Sequence, residues 1–212
     1  MDVLKTAFDV LAFVYVLLFF PAAVYCLTLH VALDWWRRMG GRSLWFALPI
    51  WGVCDAAMLL FRHPLLAGRF GRNGFTSAVG FILVILAAWL EVRTRRELGL
   101  RRLVGLAEVS PRPTRPPLVV TGIYAKVRHP RYLGYLLGWL GVSLLTGAYG
   151  ILGLAILSFL LYLMVARLEE KELEEYYGPE YSAYARAVPR FIPRWGRKAK
   201  PCRSPQDGGD HA

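Results

Sequence analysis

The stretch richest in potential chemistry is 121–134, Thr-Gly-Ile-Tyr-Ala-Lys-Val-Arg-His-Pro-Arg-Tyr-Leu-Gly. Gly122 suits a tight turn, Tyr124 and Tyr132 offer rings and hydroxyls, and Arg128 and His129 stand directly before Pro130. A proline in the first turn of a helix loses no hydrogen bond, and the exposed amides there carry partial positive charge, so an anionic ligand group can dock. A second set follows the last apolar run: Glu169 and Glu170, then Tyr181 and Tyr184. Carboxylates accept from hydroxyls or pair with a cation, and tyrosine rings stack on a base or face a cation. The two sets suit one ligand carrying a carboxylate, a positive centre, a ribose and an aromatic base.

The elements that must position these residues are membrane helices. Of 212 residues, 56% are hydrophobic, and they come in long runs rather than amphipathic stripes. A spanning helix needs about 20 mainly apolar residues, and five segments approach that length, at 7–30, 44–61, 75–92, 132–146 and 148–168. The expected fold is an all-α polytopic membrane helical bundle of about five transmembrane helices, with short cytosolic C-terminal helices. The first apolar run is longer than a signal-peptide core of about 7–15 residues, so it reads as a retained helix, kinked at Pro21. One membrane domain divides into three N-terminal spans (1–92), a basic, proline-rich cytosolic connector (93–118), a ligand-binding half (119–195) and a disordered tail (196–212).

Thr146 to Gly150 is a short turn, so the last two spans form an antiparallel hairpin that returns Glu169 and Glu170 to the side of His129. Beyond it an acidic helix breaks at Gly178-Pro179, and a second short helix carries Tyr181 and Tyr184 before Pro189 and Pro193 stop it. Gly134, Gly138 and Gly141 give the fourth span a small-residue face that suits close packing or leaves space for a ligand, and says nothing of oligomeric state.

The formal charge of +11 lies between spans, which points to lipid headgroups and membrane orientation rather than nucleic acid. Arg93, Arg95, Arg96, Arg101, Arg102, Arg112 and Arg115 place the connector in the cytoplasm and the N-terminus outside. Arg62, Arg69 and Arg72 then stand on the outer side, against the rule. Trp35, Trp36, Arg37 and Arg38 form an interfacial anchor. Asp55, a carboxylate within a span, either lines a cavity or serves packing. Cys26, Cys54 and Cys202 have no metal spacing, and no metal is expected. Phe61 to Pro64 repeats the Arg-His-Pro of the richer stretch, without its acidic pair, and reads as a loop with a proline turn.

The linked pattern is more specific than any part of it. Gly122-x-Tyr124-x-x-x-Arg128-His129-Pro130-x-Tyr132-x-Gly134, then Glu169-Glu170-x-x-Leu173, then Tyr177-Gly178-x-x-Tyr181-x-x-Tyr184-x-x-x-Val188-Pro189-Arg190-Phe191-Ile192-Pro193, resembles the isoprenylcysteine carboxyl methyltransferase family and its phospholipid-methyltransferase relatives. The resemblance covers roughly the C-terminal half. It implies an S-adenosylmethionine-dependent methyltransferase whose cofactor pocket is built from the last two spans and the C-terminal helices and opens to the cytosol. His129, Pro130, Tyr132, Leu133, Gly134 and Glu169 would hold the cofactor, with Tyr124, Tyr181 and Tyr184. Methyl transfer from a sulfonium is an in-line displacement that needs alignment and exclusion of water.

A carboxylate acceptor needs only an arginine to orient it, for which Arg128 is the candidate. An amine or thiol needs a base, for which Glu170 or His129 would serve. The acceptor is lipophilic and comes from the bilayer: isoprenylcysteine carboxylate-like, a lipid amine, or a hydrophobic thiol or amine. The protein would be a multi-pass integral membrane protein, of the inner or plasma membrane if prokaryotic. Two rival readings are an NADPH-dependent sterol-type membrane reductase, for which the chain is short and the acidic pair out of place, and a non-catalytic scaffold or transporter, which leaves the paired motifs unexplained.

Overall fold

The computed structural model describes residues 2–99 and 117–193. Five long helices form the bundle: α1 (Asp2–Val31), α3 (Ser43–Leu60), α5 (Gly74–Leu98), α6 (Pro130–Thr146) and α7 (Tyr149–Tyr177). Between and after them lie the short α2 (Leu33–Met39), α4 (Arg62–Ala67) and α8 (Pro179–Ala187), and 3-10 turns at Gly40–Arg42 and Gly122–Ala125. The all-α membrane bundle is therefore as the apolar runs predict. By length and composition α1, α5 and α7 can cross a membrane, whereas the apolar part of α3, Trp45–Leu60, and the 17-residue α6 are shorter.

Two local readings change. The third long helix runs to Leu98 rather than ending at 92, because 93–98 (Arg-Thr-Arg-Arg-Glu-Leu) is mostly good helix formers and Arg95 pairs with Glu91 one turn back at 2.9 Å. Gly99 stops it in a positive-φ conformation (φ 73°). The Phe61–Pro64 repeat lies on the helix α4 rather than in a loop; Pro64 falls in the first turn, where its missing donor is tolerated. The remainder of the connector, from 100 to 116, and the tail beyond 193 lie outside the described residues.

α6 is the hub of the packing, touching α1, α5 and α7. Its buried residues include Tyr132, Tyr135, Trp139, Val142 and Leu145. The glycine face serves this packing. A Cβ on Gly141 would come within 2.8 Å of the Gly80 carbonyl on α5, and one on Gly138 within 2.2 Å of the Tyr15 hydroxyl on α1. About two turns before Gly141, Gly134 faces Leu90 and Ala87 of α5. Small residues here let backbones approach and gain dispersion contacts that lipid cannot match.

Contacts at the two ends fix the alternation of the chain. At one end His30, closing α1, lies 3.0 Å from Glu172 of α7, and Glu97, closing α5, accepts from the amide of Ile123 at 3.1 Å. At the other end the α6–α7 turn, with Gly147 at φ 65°, is bonded to 68–72: the Phe70 amide donates to the Gly147 carbonyl at 2.8 Å and that of Tyr149 to Gly68 at 3.0 Å. The loop after α1, the connector side of α5 and the C-terminal segment thus share one end, as the hairpin argument requires. Two of the three discordant arginines, Arg69 and Arg72, have structural work at the opposite end. Arg69 donates to both oxygens of Asp9 (3.0 and 2.7 Å) and to the Thr146 carbonyl (2.8 Å), and Arg72 donates to the Leu145 carbonyl (3.2 Å). Both satisfy last-turn carbonyls of α6, which have no intrahelical donor.

Candidate functional site

The loaded stretch is held from both sides before α6 begins. Glu97 receives the Ile123 amide with both oxygens, and Gly122 (φ 58°) passes so close that a Cβ would overlap the Glu97 carboxylate at 2.2 Å. That is the physical need for glycine at the turn. On the other side, the amides of Arg128 and His129 donate to the carbonyls of Pro189 (2.9 Å) and Arg190 (3.1 Å), and the Tyr184 hydroxyl donates to the Tyr124 carbonyl (2.8 Å). Residues after α8 are thereby pinned along 124–129.

At the centre is Glu170, whose side chain is 12% exposed. Its Oε1 accepts from Arg128 Nε (3.0 Å) and Nη2 (2.9 Å), from His129 Nε2 (2.9 Å) and from Arg190 Nε (3.0 Å), while Arg190 Nη2 bonds Oε2. Arg128 turns its remaining nitrogen, Nη1, to the carbonyls of Ala185 and Val188 (2.9 Å for the latter), closing the last turn of α8. All three guanidinium nitrogens are therefore occupied by protein groups.

Glu169, the adjacent residue, has different company. Its Oε2 accepts from the Tyr132 hydroxyl at 2.8 Å and lies 3.5 Å from His129 Nδ1. Its Oε1 has no partner among the described residues, and the side chain is 31% exposed. His129 is buried between the two carboxylates, flat on Tyr132 (5.4 Å, 11°), which in turn stacks on Tyr162 (5.2 Å, 23°). Burial pulls the His129 pKa down, but hydrogen bonds and charge from Glu169 and Glu170 outweigh it, so the pKa ends above the ordinary histidine value. An imidazolium donating from both nitrogens fits this setting.

The other expected site residues take mixed positions. Pro130 is buried at the first position of α6, and Leu133 donates its amide to the His129 carbonyl at 3.1 Å. Gly134 faces α5, where it permits helix contact. Tyr184 spends its hydroxyl on the backbone. Tyr181 is 3% exposed, and its buried hydroxyl has no hydrogen-bond partner among the described residues, within electrostatic reach of Glu170, Arg128 and Glu169. Asp55 lies on α3 and is not among the groups gathered here.

Sequence reasoning passed over Arg190, Tyr162 and Glu97. The spacing of Tyr162, Val165, Ala166 and Glu169 on one face of α7 was the available signal for Tyr162. Arg190 sat in the quoted tail pattern, but no spacing rule ties a residue beyond α8 to a glutamate of α7.

The residues present fit S-adenosylmethionine. Glu169 Oε1, close to the positively polarised start of α6, and the Tyr181 hydroxyl are polar atoms without a partner among the described residues. The arrangement is that of a helical membrane protein with a cluster of polar groups where its last two long helices meet the C-terminal segment. The sequence pattern of the phospholipid methyltransferase family matches residues 75–180, half of the chain, and the chain belongs to that family. It is 30% identical over 178 residues to a methanethiol S-methyltransferase of Crocosphaera subtropica, covering 78% of this chain and 67% of that one. It is 40% identical over 78 residues to the cobalt-zinc-cadmium resistance protein CzcN of Cupriavidus metallidurans, covering 36% of each. A protein-S-isoprenylcysteine O-methyltransferase of Schizosaccharomyces pombe is 35% identical over 79 residues, 36% of this chain and 33% of that one. The matched part thus spans about a third of the length of the latter two relatives. No solved structure matches the chain.

Proposed function

We propose that the protein is an S-adenosylmethionine-dependent methyltransferase of the membrane that methylates a lipophilic acceptor drawn from the bilayer, with its cofactor site at the cytoplasmic end. The observation that carries this reading is the joining of the start of α6 to the end of α7 through Tyr132–Glu169 and His129–Glu170. The cofactor supplies an activated methyl group on a sulfonium. Glu169 and Tyr181 bind it, the first turn of α6 receives its carboxylate, and Tyr124 provides ring surface, while Tyr132, stacked between His129 and Tyr162, holds Glu169 in place. Arg128 and Glu170 are assigned to building the wall rather than to the reacting atoms. Arg128 has no nitrogen left without a protein partner, and Glu170 as a base would have to give up contacts with two arginines and a histidine. Alignment in a dry site, rather than proton transfer, is then the main work of the protein.

The relatives named for methanethiol and for isoprenylcysteine both point to a sulfur-containing, apolar acceptor. The test is isothermal titration of the detergent-solubilised chain with S-adenosylmethionine and, separately, NADPH. Glu169→Gln keeps a partner for Tyr132 but removes the charge, and should weaken S-adenosylmethionine about 10- to 100-fold while the protein stays folded. Binding of NADPH alone would sink the proposal. A radiolabelled methyl-transfer assay over thiols, prenylated cysteine and lipid amines then sorts the acceptor.

A further inference from the structure

The end of the bundle opposite Glu169 and Glu170 carries a cavity that the proposed reaction does not use. α1 and α4 line an open groove of about 650 Å³, with Val10, Phe13 and Val14 as its apolar part and Asp9, Arg62 and His63 as its polar rim. Along α1, Val14 and His30 are separated by more than four turns, roughly 24 Å, so this groove is no part of the Glu169 site.

The charge on its rim is one-sided. Asp9 is already held by Arg69 through both oxygens. Arg62 is exposed, and among the described residues its Nε donates only to His63 Nε2, at 3.3 Å, with no carboxylate in ion-pair range. A ring that accepts at Nε2 carries its proton on Nδ1, so His63 offers a donor too. The guanidinium Nη atoms form a planar fork that matches phosphate oxygens. Beside these groups, Val10 (58% exposed) and Val14 (47% exposed) present an apolar bed on a helix long enough to cross the membrane. Positive charge beside an apolar bed is the chemistry that an acidic amphiphile matches. Free phosphate would use the rim and leave the bed bare.

We propose that this groove binds one acidic glycerophospholipid, its phosphate on Arg62 and His63 and an acyl chain along Val10, Phe13 and Val14. The site recruits a structural lipid at the end of the bundle where arginines run against the charge rule for membrane loops. It is independent of the methyltransferase reading.

The experiment uses the full chain, delipidated in detergent and titrated with phosphatidylglycerol or phosphatidylcholine, with bound lipid counted by native mass spectrometry. The expected result is one tight phosphatidylglycerol, weakened about tenfold or more in Arg62→Glu and in Val14→Trp, which fills the bed, and unchanged in Arg37→Ala at the other end of the bundle. Arg62→Gln, at an exposed position, covers the case in which Val14→Trp does not fold. Wild-type levels of phosphatidylglycerol adduct in both Arg62→Glu and Arg62→Gln would overturn the proposal, as would phosphatidylcholine binding equally well. Complete displacement by matched inorganic phosphate would reduce the site to an anion rim. A protein dimer that Val14→Trp dissociates would give the groove to a second copy of the chain, and either result would also overturn it.

Discussion

The chain contains Arg-His-Pro twice, at 62–64 and at 128–130, and both copies lie at the start of a helix. Around 62–64 the side chains are exposed, α4 is six residues long, and arginine and histidine bond mainly to each other. Around 128–130 the same three residues are largely buried, and their partners come from α7, from α8 and from the chain beyond α8. The tripeptide has little meaning of its own. What turns the second copy into part of a site is a glutamate 42 residues downstream of Arg128 and a carbonyl row 57 and 60 residues downstream.

The comparison can be broken most severely at Glu170. Glu170→Ala strips two arginines and a histidine of their shared acceptor, and removing one partner of a buried charge cluster costs roughly 3–5 kcal/mol. Thermal unfolding in detergent should show this loss together with loss of S-adenosylmethionine binding; a stable, binding-competent variant would show that the second copy does not depend on its distant partner. At the opposite end, Arg69→Ala removes the Asp9 pair and a helix-end hydrogen bond and should cost about 1.5–3 kcal/mol, with cofactor affinity unchanged in the same titration.

A pH series tests the buried copy through His129. The folded pKa of His129 lies above its ordinary value, so its contribution to stability is present in full below about pH 6.5 and is lost as pH rises through the raised value, with a slope of at most about 1.4 kcal/mol per unit. His129→Gln should flatten that part of the unfolding profile. The smallest effect belongs to Arg62→Ala, expected within about 0.5 kcal/mol in detergent, as for an exposed side chain outside any network. A large loss there would mean that the two copies are more alike than their surroundings show.

The elements themselves were legible in the chain. Apolar runs of near-membrane length gave the five long helices, Gly178-Pro179 the break between α7 and α8, and the short 146–150 turn the hairpin that brings Glu169 and Glu170 beside His129. These features are local, because helix period, glycine turns and prolines act over a few residues. Tertiary structure alone decided how the polar groups were shared. It gave Arg128 to Glu170 and the α8 carbonyls, brought Arg190 back to Glu170, set Gly134 against α5, and left Glu169 Oε1 and the Tyr181 hydroxyl without a partner among the described residues. A hydrogen bond is good only within a few tenths of an ångström and a limited range of angles. Which of two adjacent glutamates is saturated and which stays open therefore depends on where segments 40 to 60 residues apart come to rest, which residue order alone does not specify.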